Sequence, residues 1–137
     1  MYPTKEKILE KRHKIDPKII EIILSWKKEF LKDWKTCTNS QKIIILRTLL
    51  YAIVIKIPSY NNKLKVELGK NYSYNQKEKT IYLEGHNPSI LSTLHELAHH
   101  LFGHSELKAC RWSYWLFATC FPKSLKKLKW ENHMLKK

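Results

Sequence analysis

The run from Ile43 to Ile57 constrains the fold more than any other part of the chain. Apolar residues fill nearly every position, interrupted by Arg47, Thr48 and Lys56. A helix that is apolar nearly all round belongs at the centre of a molecule, with the rest of the chain wrapped around it. The run is too short to span a bilayer and carries two charges, so a buried core helix is expected and no membrane partner. Ser40 offers an N-cap and Pro58 ends the helix. A chain of 137 residues has room for one such core, so residues 1–137 are expected to form a single domain.

The flanking segments supply the wrapping. Asp16-Pro17 is an N-cap with proline in the first turn. Ile19, Ile20, Ile23, Trp26, Phe30 and Trp34 follow at helical spacing, fading near Cys37. After Ser59 the period changes. Leu64, Val66 and Leu68 alternate with Lys65 and Glu67, and Thr80 to Leu83 is a second β-prone run. Residues 63–84 therefore read as two or three short antiparallel strands. Asn87-Pro88-Ser89 opens a third helix from about Pro88 to Phe102, which Gly103 is placed to stop. A fourth runs from about Ser105 to Thr119 and is broken by Pro122. The tail, 123–137, is Lys-rich, with Leu125, Leu128 and Trp130 as packing anchors. The class is α+β: a helical part (1–58), a sheet with two further helices (59–122), and a basic tail.

Inside the third helix lies His95-Glu96-Leu97-Ala98-His99, an HExxH motif. Residues four apart share a helix face, so both imidazoles can bind one tetrahedral Zn²⁺. Glu96 sits about 100° round the helix, within reach of a water at the ion but not of the ion's ligand positions. That place suits a general base. The chemistry implied is zinc-assisted peptide hydrolysis, with a protein or peptide as substrate. Glu106, opening the fourth helix after the Gly103 turn, is the leading third ligand. His104 in the turn is its rival, and His86 and His133 lie further out. A carboxylate at position 106 would also serve the helix dipole. Among the neighbours, His100 shares the Glu96 side of the helix, where it could tune Glu96 or contact substrate, and reads first as a partly exposed helix residue without a role. Tyr72, Tyr74, Tyr82 and Tyr114 read as packing residues able to donate to an oxyanion. Cys110 reads as a buried thiol, and Trp112 and Trp115 as core.

Charge adds a second theme. Lys and Arg number 26 against 12 Asp and Glu, a net charge of +14. Such a balance attracts nucleic acid through its phosphates, or it reflects the Lys-, Ile- and Asn-rich coding of an AT-rich genome. A nucleic-acid-binding protein with a structural or vestigial zinc site is thus the rival to a peptidase, and a DNA-associated protease combines the two. Cys37, Cys110 and Cys120 form no CxxC pair and are odd in number, which points to free thiols and a reducing cytoplasm. Met1 to Ile15 is charged throughout, with no apolar segment of the kind a secretory signal needs.

The segment His95 to Pro122, HELAHHLFGHSELKACRWSYWLFATCFP, resembles the zinc helix and following helix of the ImmA/IrrE-type metallopeptidases. Their HExxH helix is followed by a short Gly/His turn and a helix that begins with Glu. The resemblance implies a minimal zincin-like domain, with His95, His99 and Glu106 as ligands and Glu96 as the catalytic base. Ala109-Cys110 stands where that family commonly has Ala-Asn. The chain is also similar to the small, basic SprT-like proteases, although these use a later His as third ligand. Its size and Lys-rich build look like a phage-encoded version of such an enzyme.

Overall fold

The computed structural model describes residues 2–61, 63–131 and 134–136. Six α-helices are present among them: α1 (Lys5–Glu10), α2 (Pro17–Phe30), α3 (Asn39–Lys56), α4 (Ile90–Phe102), α5 (Glu106–Cys120) and α6 (Pro122–Leu125). Strands β1 (Lys65–Gly69), β2 (Ser73–Asn75) and β3 (Thr80–Glu84) form one sheet, and β4 (Lys129–Glu131) and β5 (Met134–Lys136) form a separate antiparallel hairpin. The class is α+β, as expected. No helix among the described residues is long and apolar enough to cross a membrane.

Helix α3 is the central element. Its Leu46, Leu49, Leu50 and Ile53 are completely buried, in one core with Ile19 and Ile23 of α2, Leu94 and Leu97 of α4, Leu116 of α5, and Ile81 and Leu83 of β3. Truncating any of these leucines to alanine would cost about 2–5 kcal/mol, the transfer energy plus the cavity left behind. One side of α3 stays open, however, with Ile44 60 % and Ile55 71 % exposed. The expectation of burial all round is corrected to that extent: the core covers most of the cylinder, and the face carrying Ile44 and Ile55 stays exposed.

Capping sets the boundaries. Asp16 Oδ1 accepts from the Lys18 amide at 2.9 Å, with Pro17 in the first turn, as the sequence predicts. Helix α2 ends sooner than its apolar pattern, at Phe30, and Trp34 falls in a 3₁₀ turn. The cap of α3 is Thr38, not Ser40. Thr38 and Gln41 close a reciprocal capping box, which satisfies two amides where Ser40 could satisfy one. Trp26 donates its indole N–H to Thr48 Oγ1 at 2.9 Å, locking α2 to α3. The Lys27 ammonium donates to the Cys120 carbonyl at 2.9 Å, placing a cation at the negative end of α5.

The sheet differs from the expected antiparallel arrangement. Its order is β1-β3-β2, with β2 antiparallel to β3 but β1 parallel to it, Val66 opposite Ile81. The chain reverses between β1 and β2 and again between β2 and β3, so β1 and β3 run the same way. The strand with the most buried side chains, β3, takes the centre, where both edges are paired. Short β2 is left at one edge.

Helix α1 and the β4–β5 hairpin were not expected, and neither was the single turn of α6. Helix α1 is only six residues long, too short to be stable alone. It is held by α5: Arg111 donates to the Lys7 carbonyl through Nη2 (2.6 Å) and Nε (3.2 Å), and Trp115 Nε1 donates to the Lys11 carbonyl at 3.2 Å. Ile8 is buried beneath it. The β4–β5 hairpin folds the tail back so that the Trp130 and Tyr114 rings lie 5.5 Å apart.

Candidate metal centre

Local capping places the HExxH helix. Ser89, not Asn87, is the cap of α4: its hydroxyl accepts from the Ser92 amide at 3.2 Å. The Tyr72 hydroxyl accepts from the Ser89 amide at 2.7 Å, tying the start of the helix to the residue before β2. At the other end Gly103 stops the helix as expected, with φ 88° and ψ −151°, a conformation open essentially to glycine alone. Ser105 then caps α5, its hydroxyl accepting from the Lys108 amide at 3.2 Å. The chain between the helices is short, and it turns α5 back along α4. Glu106 comes to rest opposite both motif histidines.

The result is a convergent three-residue group. His95, His99 and Glu106 each offer one ligand atom, and these atoms lie within 4.8 Å of one another. His99 Nε2 is 2.8 Å from Glu106 Oε1, and His95 Nε2 is 3.2 Å from Glu106 Oε2. Ligand atoms around a tetrahedral zinc ion sit about 3.3 Å apart, from bonds of roughly 2.0–2.1 Å. The spacing fits.

The chemistry of the donors fits too. His99 Nδ1 lies 2.8 Å from the Gly103 carbonyl, which can only accept, so Nδ1 carries the proton. In the neutral ring Nε2 is then a bare lone pair aimed at a carboxylate oxygen. Two acceptors at that distance need a cation between them, either a proton on Nε2 or a metal ion. A carbonyl holding the far nitrogen of a ligating imidazole is also the usual way a metal site fixes tautomer and ring angle. The His95 and His99 rings stand nearly perpendicular, at 80°, with centroids 4.9 Å apart. His95 Nδ1 is 4.0 Å from Cys110 Sγ, one turn along α5 from Glu106.

Glu96 lies beside this group with 8 % of its surface exposed. Burial, reinforced by the charge of Glu106 and opposed by His99, pushes its carboxyl up to about 7. Burial and the same two carboxylates push the Cys110 thiol up to about 12, so it stays protonated.

Of the other residues considered from sequence, His104 is exposed and lines the groove in front of the site, outside the ligand group. His86 is exposed at the far end of the β3–α4 connection. His133 lies outside the described residues. Tyr82 is turned away, its hydroxyl donating to Glu78 at 3.1 Å. Tyr72 lines the site beside His95 and Glu96, and Tyr114 walls the cavity behind it. Trp112 is core, and Trp115 is clasped between α1 and the Arg12 guanidinium, 5.2 Å from its ring.

Comparison with protein-family models, curated proteins and solved structures found no match.

His100 is the residue whose part the sequence concealed. Its Nε2–H donates to the carbonyls of Tyr60 and Asn61, at 3.1 and 3.0 Å. Its Nδ1 then accepts from the Tyr74 hydroxyl at 2.7 Å. One side chain thus ties α4 to the edge strand β2 and to the turn after α3. Nothing in an HExxHH string announces such a role, because both partners lie at least 26 residues away.

Proposed function

We propose that the chain is a zinc metallopeptidase of minimal zincin-like build. The observation that carries the reading is the convergence of His95 Nε2, His99 Nε2 and the Glu106 carboxylate, with buried Glu96 beside them. Two imidazoles and one carboxylate make the three-ligand set of a hydrolytic zinc site, which keeps a fourth position open. Bound zinc supplies Lewis acidity, polarising a carbonyl and easing the loss of a proton from water.

The chain's own residues supply the rest. Strand β2 pairs with β3 on one side only, and Tyr72, Ser73, Tyr74 and Gln76 line the groove that also holds His95, Glu96 and His99. An extended substrate segment laid along β2 would add a strand and bring its carbonyl to the three ligands. Glu96 takes the proton of the attacking water on a carboxylate oxygen. It delivers that proton to the leaving amine nitrogen as the C–N bond breaks. The Gly103 carbonyl holds His99 in the ligating tautomer throughout. Three unpaired cysteines support a reducing cytoplasm as the place of action.

The test is Glu96→Gln, which keeps size and polarity but removes the proton acceptor. Zinc content and fold should be retained while turnover falls by about 10²–10⁴-fold, the usual worth of a general base. Because the substrate is unidentified, wild type and variant are compared on a whole-cell lysate, with the peptides read by mass spectrometry. Matching peptide profiles from two zinc-loaded proteins would refute the reading. The net charge of +14 supports a second activity, nucleic-acid binding by the same chain, which does not depend on Glu96.

A further inference from the structure

Behind the metal-ligating group lies a cavity of about 220 Å³ that the hydrolytic reading leaves unused. It shares His95, Glu96 and Glu106 with the groove along β2, so anything entering it sits next to the reacting atoms. Its walls come from widely separated elements. Ile8 is from α1, Leu91 from α4, Tyr114 from α5, and Trp130 and Leu135 from the terminal hairpin. The volume is below that of a typical small-molecule site and is of the size that takes one large side chain.

Several polar groups in the lining are already engaged. Ser113 donates its hydroxyl hydrogen to the Ala109 carbonyl at 2.7 Å. Both Glu106 oxygens face the two imidazoles and would be committed to a metal. A cationic side chain entering the cavity would give up its water against Ile8, Leu91 and Leu135, and the one carboxylate it could reach outside the ligand group is Glu96, which the hydrolytic reading commits to the attacking water. An anionic one would meet Glu96 and Glu106. An apolar side chain loses nothing, and the Tyr114 and Trp130 rings offer an aromatic guest edge or offset contacts.

We infer that this cavity selects a large apolar side chain, aromatic by preference, at a residue flanking the bond to be cut, with Tyr114 and Trp130 as the specificity-determining residues. The inference rests on the peptidase reading for its meaning in catalysis. The binding preference itself does not, and it gives a use to helix α1 and the β4–β5 hairpin, whose Ile8, Trp130 and Leu135 wall the cavity.

The test separates the two. Capped tripeptides Gly-Phe-Gly, Gly-Lys-Gly and Gly-Glu-Gly are titrated into zinc-loaded Glu96→Gln protein and followed by NMR. The readouts are the indole N–H of Trp130 and the amides of Cys110 and Tyr114. The Phe peptide should shift these signals, and bind at least roughly tenfold tighter than the other two. Trp130→Ala and Tyr114→Ala should each weaken the Phe peptide by roughly tenfold, with folding checked by retained zinc content. Equal binding of the three peptides, or shifts that leave Trp130 and Tyr114 unmoved, would overturn the inference whether or not the protein is a peptidase. In the lysate digest, cuts that depend on Glu96 but show no large apolar residue on either side would overturn the inference and leave the peptidase reading intact. A Phe-selective site in a protein whose digests do not depend on Glu96 would support the pocket and sink the peptidase.

Discussion

Replacing His100 with alanine should destabilise the protein by about 2 kcal/mol without removing a metal ligand. The magnitude follows from its contacts. One bond to the Tyr74 hydroxyl at 2.7 Å and one N–H shared between the Tyr60 and Asn61 carbonyls are lost. Each is worth about 1 kcal/mol net. The Tyr74 and His100 rings also meet edge to face, with centroids 5.4 Å apart, adding about 0.5–1 kcal/mol. Water reaches this half-exposed site in the variant and restores part of the loss, so the total stays near 2 kcal/mol. For a chain of this length that is a fall in Tm of about 8 °C. Urea unfolding followed by tryptophan fluorescence gives the free energy directly. Tyr74→Phe removes one of the bonds and should cost only about 1 kcal/mol. In the double variant the two losses should fall short of additive by a similar amount. A His100→Ala variant within 0.5 kcal/mol of wild type, or one no worse than Tyr74→Phe, would refute the view that His100 joins three elements.

Three further outcomes are expected. Glu106→Ala should abolish stoichiometric zinc binding in a chelator competition while His104→Ala leaves it close to wild type; the reverse order would move the third ligand into the turn. Gly103→Ala should cost about 1–3 kcal/mol, because φ 88° is forced on a residue with a Cβ even though open space surrounds it. It should also loosen zinc through the His99–carbonyl bond, and an unchanged Tm would contradict the backbone argument. Binding to DNA, if the positive charge serves it, should weaken linearly on a log–log plot against salt; no binding at low salt would assign the lysines to composition alone.

How much of this was legible in the sequence depends on how local each determinant is. The HExxH face and the Gly103 stop follow from spacing within one helix, and both stand where the pattern puts them. The start of that helix was misplaced by two residues because Ser89 and Asn87 are equally good caps on paper. What favours Ser89 is the Tyr72 hydroxyl, which arrives from 17 residues upstream. Strand existence was readable from alternation, but strand direction was not. Alternation looks the same in parallel and antiparallel pairs, and only the competition for the central position beside α3 decides that β3 takes it. Leu68 illustrates the limit: it continues the alternation of Leu64 and Val66, yet it is 57 % exposed because no helix covers the end of β1. Helix α1 and the terminal hairpin carry almost no local signal, since each exists through its contacts with α5.

That division between local and distant determinants has a consequence for the site itself. All three candidate ligands fall between positions 95 and 106, on one helix hairpin whose turn is set by Gly103 and Ser105. The short loop makes their approach cheap in chain entropy, so the ligand group forms whenever α4 and α5 pack. The groove and the cavity share walls of α4 and α5 with the ligand group but are completed by β2, α1 and the terminal hairpin, each recruited from far away in sequence. Changes in those distant elements should therefore alter which peptide is held while leaving zinc affinity almost untouched. Changes in the hairpin turn should do the opposite. On the peptidase reading, a chain built this way would change its substrate by varying α1 and the β4–β5 hairpin while the ligand group on α4 and α5 stayed fixed. The Trp130→Ala and Gly103→Ala variants, measured side by side for peptide and for zinc, place the two halves of that argument against each other.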